Sequence, residues 1–183
     1  MEIGVLFADI RGFTAWSEKT SPSDATERLT DFYRLSDRVL SRDDALIEFV
    51  GDQVMALYLP DFPSLREGTQ EVMVAAARRL LRETHCSEGE SLPVGVGIHM
   101  GVASVGNVSK GGIKDFTAVG DVVNTAARLQ SCASADQIVV SEKVYERVSG
   151  TYPDAQLRSF EVKGKSEAVR AFAIDHATLD HAA

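Results

Sequence analysis

The chain has 183 residues, enough for one domain with a complete core and too few for two of ordinary size. Its composition, 44% hydrophobic and 25% charged, is that of a globular protein, and its formal net charge of −8 argues against broad nucleic-acid binding. The longest apolar run, residues 94–106, is too short to span a bilayer, so we expect no membrane segment in this chain.

The two cysteines, Cys86 and Cys132, form no CxxC pair and cannot make a disulfide framework, which fits a reducing, cytoplasmic location. The chain opens MEIGVLFADI, without the basic segment of a signal peptide. A strand that starts almost at residue 1 is typical of a domain cut from a longer protein, where a fused regulatory domain is an option. We expect one domain over residues 1–176 and a tail over 177–183.

The first predicted elements are a strand and a helix. Residues 3–10 form an apolar run that ends in an acid, and RGFT follows as a turn. Apolar residues at helical spacing predict a helix over 24–41, with Ser23 as its N-cap.

A hairpin and a second helix come next. Two apolar, β-rich runs, 45–50 and 53–59, are separated by Gly-Asp, which is a hairpin signal although Asp-Gly is the commoner order. Apolar spacing then predicts a helix over 66–84. The remaining predictions are strands over 94–105 and 116–120 joined by a turn, a helix over 121–132 with Asp121 as N-cap, a strand over 137–141, a short helix from Glu142, and strands over 156–163 and 168–175.

Strand, helix, hairpin, helix, strand is the βαββαβ order of a ferredoxin-like fold. The expected class is therefore α/β (α+β), a ferredoxin-like palm with additional C-terminal strands and helices. We expect helices on one face of the sheet and a free opposite face. The end of the first strand and the first hairpin would be neighbours, which places Asp9 near Asp52. Two carboxylates that share ions roughly 3.5–4 Å apart make a two-metal site.

The segment after Asp9 is a candidate phosphate cradle, because backbone N–H groups in such a turn can hold phosphate oxygens. Hard oxygen ligands beside it suit Mg²⁺ or Mn²⁺, which take their other ligands from phosphates and water. Aspartates are also common turn formers, and this remains the alternative for Asp9 or Asp52 taken alone. The residues of the candidate cradle are Ile10, Arg11, Gly12, Phe13 and Thr14.

Three blocks, VLFADIRGFT (5–14), FVGDQVMALY (49–58) and FTAVGDVVNTAARL (116–129), resemble the signature blocks of class III nucleotidyl cyclases, the adenylate/guanylate cyclase catalytic domain. Their order and spacing fit, and EVKGK extends the resemblance over nearly the whole chain. The resemblance implies conversion of a nucleoside triphosphate to its 3′,5′-cyclic monophosphate and pyrophosphate. A diguanylate cyclase has a related palm, but no GGDEF-like sequence occurs here.

The resemblance also implies residue roles. Asp9 and Asp52 match the aspartates that bind two Mg²⁺ or Mn²⁺ ions. Asn124 and Arg128 match the pair that orients the ribose and stabilises charge on the α-phosphate, and their spacing places them on one helix face. Lys163 matches a lysine that holds the terminal phosphates. Lys165 is a second candidate, and a solvated charged turn is the alternative for both.

In this family the site is composite. Both aspartates come from one protomer, and the base-reading residues, Asn, Arg and Lys come from the other. The resemblance therefore implies a head-to-tail homodimer with two equivalent sites and an inactive lone chain. A catalytically silent cyclase fold, kept for dimerisation or nucleotide sensing, is the rival interpretation. This chain has Asp9, Asp52, Asn124 and Arg128 at the positions of the family's site residues, which argues against that interpretation.

Glu48 lies four residues before Asp52, where adenine-specific members carry lysine. A buried carboxylate must find donors, and guanine offers both N1–H and the 2-amino group, whereas adenine has an acceptor at N1. Thr117, seven residues before Asn124, matches the partner position, and its hydroxyl fits either base. Glu48 resembles guanylate cyclases and Thr117 a bacterial adenylate cyclase subgroup, so GTP is favoured and ATP stays open. A strand-edge carboxylate without a role is the alternative for Glu48.

Overall fold

The computed structural model describes residues 1–60, 68–85, 92–107, 116–160 and 169–175. The helices are α1 (Phe13–Ser17), α2 (Pro22–Leu40), α3 (Thr69–His85), α4 (Asp121–Cys132) and α5 (Glu142–Val148). The strands are β1 (Glu2–Ile10), β2 (Leu46–Val50), β3 (Gln53–Tyr58), β4 (Val94–Val102), β5 (Ser104–Asn107), β6 (Phe116–Val119), β7 (Gln137–Ser141), β8 (Gln156–Phe160) and β9 (Val169–Asp175).

Seven strands form one mixed sheet in the order β2-β3-β1-β4-β7-β9-β8. The first four places have the ferredoxin-like order, with β1 hydrogen-bonded to β3 on one side and β4 on the other. β7 joins β4 in parallel, and β9 and β8 extend the sheet from there. β5 and β6 form a separate two-stranded ribbon. The predicted fold class is confirmed, including the additional C-terminal strands.

Both faces of the sheet are covered. On one face, Leu6 and Ile98 pack in a cluster with residues of α2, α3 and α5. On the other face, Val5 and Met55 pack in a second cluster with Val122 and other residues of α4. The expectation of a free face is therefore wrong, because α4 carries an apolar stripe that is buried on that face.

Two predicted helix caps are also wrong. α2 begins at Pro22, and Ser21, not Ser23, accepts a hydrogen bond from the backbone N–H of Asp24 (3.1 Å). Proline suits the first helical position because its φ is already helical, and this sets the start of α2. Asp121 is the first residue of α4 rather than its cap, which is Gly120.

Two other predicted elements differ in extent. The RGFT turn runs directly into α1, and the predicted strand over 94–105 is divided at Ala103 into β4 and β5. The boundary at residue 176 and the tail lie outside the described residues. Within the described ranges, none of the helices combines the length and apolarity of a membrane span.

Candidate active site

Asp9 lies near the end of β1, opposite Gln53 of β3 and Gly95 of β4. Gln53 donates a hydrogen bond from Nε2 to Asp9 Oδ2 at 3.1 Å. The same nitrogen lies 3.5 Å from Oε1 of Gln130, in the last turn of α4. The Asp9 carboxylate is thus connected through Gln53 to the helix that covers this face of the sheet.

Arg11 forms a second connection between this strand end and α4. Its guanidinium donates to the backbone carbonyl of Gln130 at 2.8 Å and lies 3.7 Å from Asp9 Oδ1. A cation at a helix C-terminus is favourable because the carbonyl groups there carry partial negative charge. Glycine at position 95 provides the space, since a Cβ there would lie 2.4 Å from Arg11 Nε. The Arg11 side chain is therefore already used within the fold.

The β2–β3 hairpin carries Asp52 in its turn. Val50 pairs with Gln53, which leaves Gly51 and Asp52 as a two-residue loop. Gly51 has a φ of 61°, the positive value that the first loop position of a type II′ turn requires. This requirement explains the order Gly-Asp in the sequence.

Contacts from two sides hold this turn. The Tyr33 hydroxyl, from α2, donates to the carbonyl oxygen of Gly51, and the Tyr33 ring packs on Phe49 with centroids 4.3 Å apart. On the inner side, the Ile10 N–H donates to the Asp52 carbonyl at 3.4 Å. The turn is therefore fixed against the end of β1.

Burial raises the pKa of the Asp9 carboxyl above its ordinary value. The Gln53 hydrogen bond and the Arg11 guanidinium oppose this rise, and the negative charge of Asp52 adds to it. Two carboxylates that are close enough to repel each other are stabilised by a shared cation, because the cation offsets both the repulsion and the loss of water.

The donor set fits a hard divalent ion. Asp9 and Asp52 supply oxygen ligands only, and in the described ranges no group of three or more His, Cys, Asp and Glu residues forms a metal cluster. Mg²⁺ and Mn²⁺ are typically held by one or two carboxylates together with substrate phosphates. The residues present therefore suit a hard divalent ion whose other ligands come from phosphate groups and water.

The candidate phosphate cradle is smaller than the sequence predicts. The Ile10 N–H donates to Asp52, and the Arg11 N–H donates to the carbonyl of Pro93 at 2.6 Å. Gly12 adopts a φ of 73° and precedes α1, whose first N–H groups have no acceptor within the helix. The amides of Gly12, Phe13 and Thr14 are thus the part of the cradle that remains for a phosphate.

α4 lies close against β4 because β4 has glycines opposite it. A Cβ at Gly97 would lie 2.1 Å from the backbone nitrogen of Gln130, and one at Gly101 would lie 3.1 Å from Cβ of Val122. Side chains alternate along a strand, so these two glycines face the same way. They allow the helix backbone to approach the sheet.

Asn124 and Arg128 lie on the outer side of α4. Asn124 is exposed and Arg128 is half-buried, whereas Gln130 is 1% exposed. Arg128 and Gln130 are two residues apart, which is about 200° around an α-helix. Asn124 and Arg128 share a face, and this face is turned away from their own chain's Asp9.

Glu48 is exposed, although the apolar residues around it in sequence predict a buried side chain. The reason is that β2 is the edge strand of the sheet. Glu48 pairs with Met55, whose side chain packs on the α4 face, so Glu48 lies on that same face beyond the cover of α4. The backbone of Thr117 pairs with Gly106 in the ribbon. Lys163 and Lys165 lie outside the described residues.

Sequence reasoning missed Gln53 and Gln130. Gln53 follows Asp52 directly. A two-residue turn and the alternation of side chains along β3 would have placed Gln53 on the same face of the sheet as Met55. Nothing in the sequence indicated that β1 aligns Asp9 with Gln53. Gln130 falls on the apolar stripe of α4, four residues after Ala126, and a polar residue on such a stripe was a usable signal.

Comparison with known proteins identifies the family of this chain. The sequence matches the family model of the adenylate and guanylate cyclase catalytic domain over residues 1–175. It is 29% identical over 182 residues to an adenylate cyclase of Anabaena cylindrica, covering 93% of this chain and 36% of that protein. It is 30% identical over 176 residues to guanylate cyclase 32E of Drosophila melanogaster, covering 90% of this chain and 15% of that protein.

A solved structure shows the same similarity. The guanylate cyclase domain of RhGC from Catenaria anguillulae, in complex with GTP, superposes with a TM-score of 0.83 at 25% identity, over 95% of this chain and 96% of that one. The chain spans only about a third of the Anabaena relative's length. The resemblance read from the three sequence blocks is confirmed, and the chain belongs to the family of adenylate and guanylate cyclase catalytic domains.

Proposed function

We propose that this domain converts GTP, or alternatively ATP, to the 3′,5′-cyclic monophosphate and pyrophosphate at the interface of a head-to-tail homodimer. The observation that carries the proposal is the pair Asp9 and Asp52. The pairing of Asp9 with Gln53 and the hydrogen bond from Ile10 N–H to the Asp52 carbonyl hold them side by side. The amides of Gly12, Phe13 and Thr14 follow directly along the chain. A site of this composition recognises a metal-bound triphosphate rather than an uncharged ligand.

The residues of this chain would divide the work. Gly12, Phe13 and Thr14 bind phosphate oxygens through their N–H groups, and Asp9 and Asp52 hold the metal ions. When bound, two Mg²⁺ or Mn²⁺ ions supply a lowered pKa at the ribose 3′-hydroxyl and neutralise phosphate charge. In the reaction, the ribose 3′-oxygen would form a bond to the α-phosphorus in line while the bond from that phosphorus to pyrophosphate breaks, and the 3′-hydroxyl proton would pass to solvent.

Asn124 and Arg128 of the opposite chain complete this site. Asn124 orients the ribose, and the Arg128 guanidinium stabilises the negative charge that develops on the α-phosphate. The outward direction of their shared face on α4 supports a composite site, because a single chain cannot bring them to its own aspartates without moving the helix. Lys163 would hold the terminal phosphates.

Glu48 favours GTP. Its carboxylate lies on the α4 face of the edge strand, where a nucleotide base bound between two chains could cover it. Guanine provides two adjacent donors to one carboxylate, and adenine does not. The RhGC domain, which was solved with GTP, supports GTP as the substrate, and the Anabaena protein, which is named an adenylate cyclase, supports ATP. A cytoplasmic location belongs to the same proposal, since Cys132 is a free cysteine and the substrates are cytoplasmic nucleotides.

The test is product identification. The purified domain is incubated with equal concentrations of ATP, GTP, CTP and UTP and Mn²⁺, and cyclic products are identified by mass spectrometry. We expect a 3′,5′-cyclic purine nucleotide, lost in both Asp9→Ala and Asp52→Ala and retained in Asp154→Ala, which changes an exposed turn aspartate away from the site. Absence of every cyclic product from a dimeric wild type would favour the silent module, and activity in both site variants would overturn the metal assignment.

A further inference from the structure

We propose that Gln53 is a positioning residue of the metal site: its side-chain amide fixes the orientation of the Asp9 carboxylate and thereby sets the affinity for the metal ion. The proposal deepens the proposed function and rests on it for the role of Asp9. Gln53 touches no reacting atom, so it acts through Asp9 alone.

The contact between the two side chains carries the first step. Gln53 Nε2 donates to Asp9 Oδ2 at 3.1 Å, and the two residues are register partners in the antiparallel β1–β3 pair. The terminal torsion of an aspartate is broad and only weakly restricted by its own chemistry. A hydrogen bond to one oxygen therefore decides which lone pairs remain for a metal ion.

Gln53 is itself held in place. Its Nε2 lies 3.5 Å from Oε1 of Gln130, so its two N–H groups have one acceptor on each side. Gln130 is 1% exposed and is fixed by the packing of α4 on Gly97. The orientation of the Gln53 amide is thus set by the buried side of α4 rather than by solvent.

Charge distinguishes Gln53 from Arg11. The Arg11 guanidinium lies 3.7 Å from the other oxygen of Asp9, beyond hydrogen-bond distance, and is engaged with the Gln130 carbonyl. A cation bonded directly to Asp9 would compete with a divalent ion. Gln53 supplies a donor without positive charge, so it orients the carboxylate and leaves its negative charge for the metal. Partners of this kind typically change metal affinity by about 10- to 100-fold.

The same sheet contains a matched control. Gln137 Nε2 donates to Asp175 Oδ1 at 2.6 Å, and these residues are register partners in the antiparallel β7–β9 pair. This pair repeats the Gln53–Asp9 hydrogen bond three strands away in the sheet, where the turn aspartate that precedes the glutamine, Asp136, lies 3.9 Å from His85 Nδ1. Loss of a glutamine–aspartate hydrogen bond can therefore be compared inside and outside the proposed catalytic site.

The experiment measures Mn²⁺ binding directly. The variants are Gln53→Leu, which keeps volume and removes the donor, Gln53→Asn, which keeps the amide but shortens its reach, and Gln137→Leu. Binding of Mn²⁺ alone is followed by the electron paramagnetic resonance signal of the free ion. The Mn²⁺ dependence of cyclase turnover is measured in parallel, and metal-free melting curves report folding. If Gln53→Leu does not fold, Gln53→Asn carries the comparison.

We expect both Gln53 variants to raise the Kd for Mn²⁺ and the half-saturating Mn²⁺ concentration by about tenfold or more, with most of kcat recovered at high Mn²⁺. Gln137→Leu should change neither value. An unchanged Mn²⁺ Kd in a folded Gln53 variant would overturn the proposal while leaving the cyclase assignment intact. A wild type that forms no cyclic product, but loses Mn²⁺ affinity on substitution of Gln53, would overturn the proposed function and keep this inference.

Discussion

Arg128 and Gln130 are separated by two positions on α4 and lie on opposite sides of the helix. Gln130 is buried against β4 and hydrogen-bonds the residues around Asp9, while Arg128 lies with Asn124 on the outer side. One helix therefore supports the strand of its own chain that carries Asp9 and presents the proposed catalytic pair, Asn124 and Arg128, on its other side. This division is what a composite site between two chains requires.

Complementation between inactive chains tests this division. Asp52→Ala and Arg128→Ala should each be inactive, because each removes one half of every site. After mixing and subunit exchange, about half of the dimers are heterodimers with one intact site of two, so about a quarter of wild-type activity should return. Turnover of the mixture, with exchange verified by mass spectrometry of differently tagged chains, is the measurement. No recovery after proven exchange would contradict the composite site.

Glu48→Lys should shift base preference from GTP toward ATP. The lysine removes the acceptor for guanine and adds a donor that can reach adenine N1, and a mismatched base leaves polar groups unpaired. The expected change in the ratio of kcat/KM values is on the order of 1–3 kcal/mol, roughly ten- to hundredfold. Because Glu48 is exposed in the single chain, folding should be unchanged.

The measurement is kcat/KM for both triphosphates with Mn²⁺ and with Mg²⁺. Glu146→Lys, at an exposed position of α5, makes the same charge change away from the site and should keep the wild-type ratio. A wild type that strongly prefers ATP would contradict the guanine preference alone. An unaltered ratio in Glu48→Lys would show that this side chain does not contact the base.

Gly97→Ala should displace α4. The added Cβ would lie 2.1 Å from the Gln130 nitrogen and 2.6 Å from the Ala126 carbonyl oxygen, which are backbone atoms that cannot turn aside. Overpacking of this kind costs about 1–3 kcal/mol of unfolding free energy. Urea denaturation and cyclase activity should both be affected, since α4 carries Asn124 and Arg128. Gly150→Ala, where a Cβ meets nothing within 4 Å, is the control and should change neither.

Tyr58 should make the domain sensitive to alkali. Its side chain is fully buried, its hydroxyl has no hydrogen-bond partner among the described residues, and burial raises its pKa above the ordinary 10.0. Above pH 10 the tyrosine of the unfolded chain loses its proton, whereas the buried tyrosine of the folded chain keeps it. The free energy of unfolding therefore falls as pH rises above 10, by up to about 1.4 kcal/mol per pH unit.

Tyr58→Phe removes this titration. The variant should match or exceed wild-type stability at pH 7, because no hydrogen bond is lost, and its advantage should grow above pH 10. Urea denaturation of both proteins at pH 7, 9 and 11 checks the prediction. A constant difference between them across this range would show that Tyr58 does not titrate on unfolding.

The sequence determined most of the strands and helices, because their apolar periodicities are long and separated by clear turn residues. It did not determine which face α4 covers. That choice depends on Gly97 and Gly101, whose lack of side chains has meaning only once β4 and α4 are adjacent. The N-cap of α2 was missed for a local reason: both Ser21 and Ser23 are residue types that cap helices, and Pro22 between them decides.

The carboxylates of the candidate site could be predicted from their strand-end positions and from the family resemblance. The contact between Asp9 and Gln53 could not, since it requires the register of two strand pairs. Hydrophobic alternation fixes the face of a side chain but allows a shift of two residues along the partner strand. The exposure of Glu48 was missed because its apolar neighbours do not show that β2 lies at the edge of the sheet.

The bond from Tyr33 to Gly51 gives α2 a mechanical role. α2 supplies no residue to the site, yet its tyrosine holds the outer side of the turn that carries Asp52. A rotation or sliding of α2 by about one helical residue, a rise of about 1.5 Å, would pull on the turn or release it. A force applied to the outside of the domain at this helix is thus transmitted through one hydrogen bond to Gly51, the residue next to the proposed metal ligand Asp52.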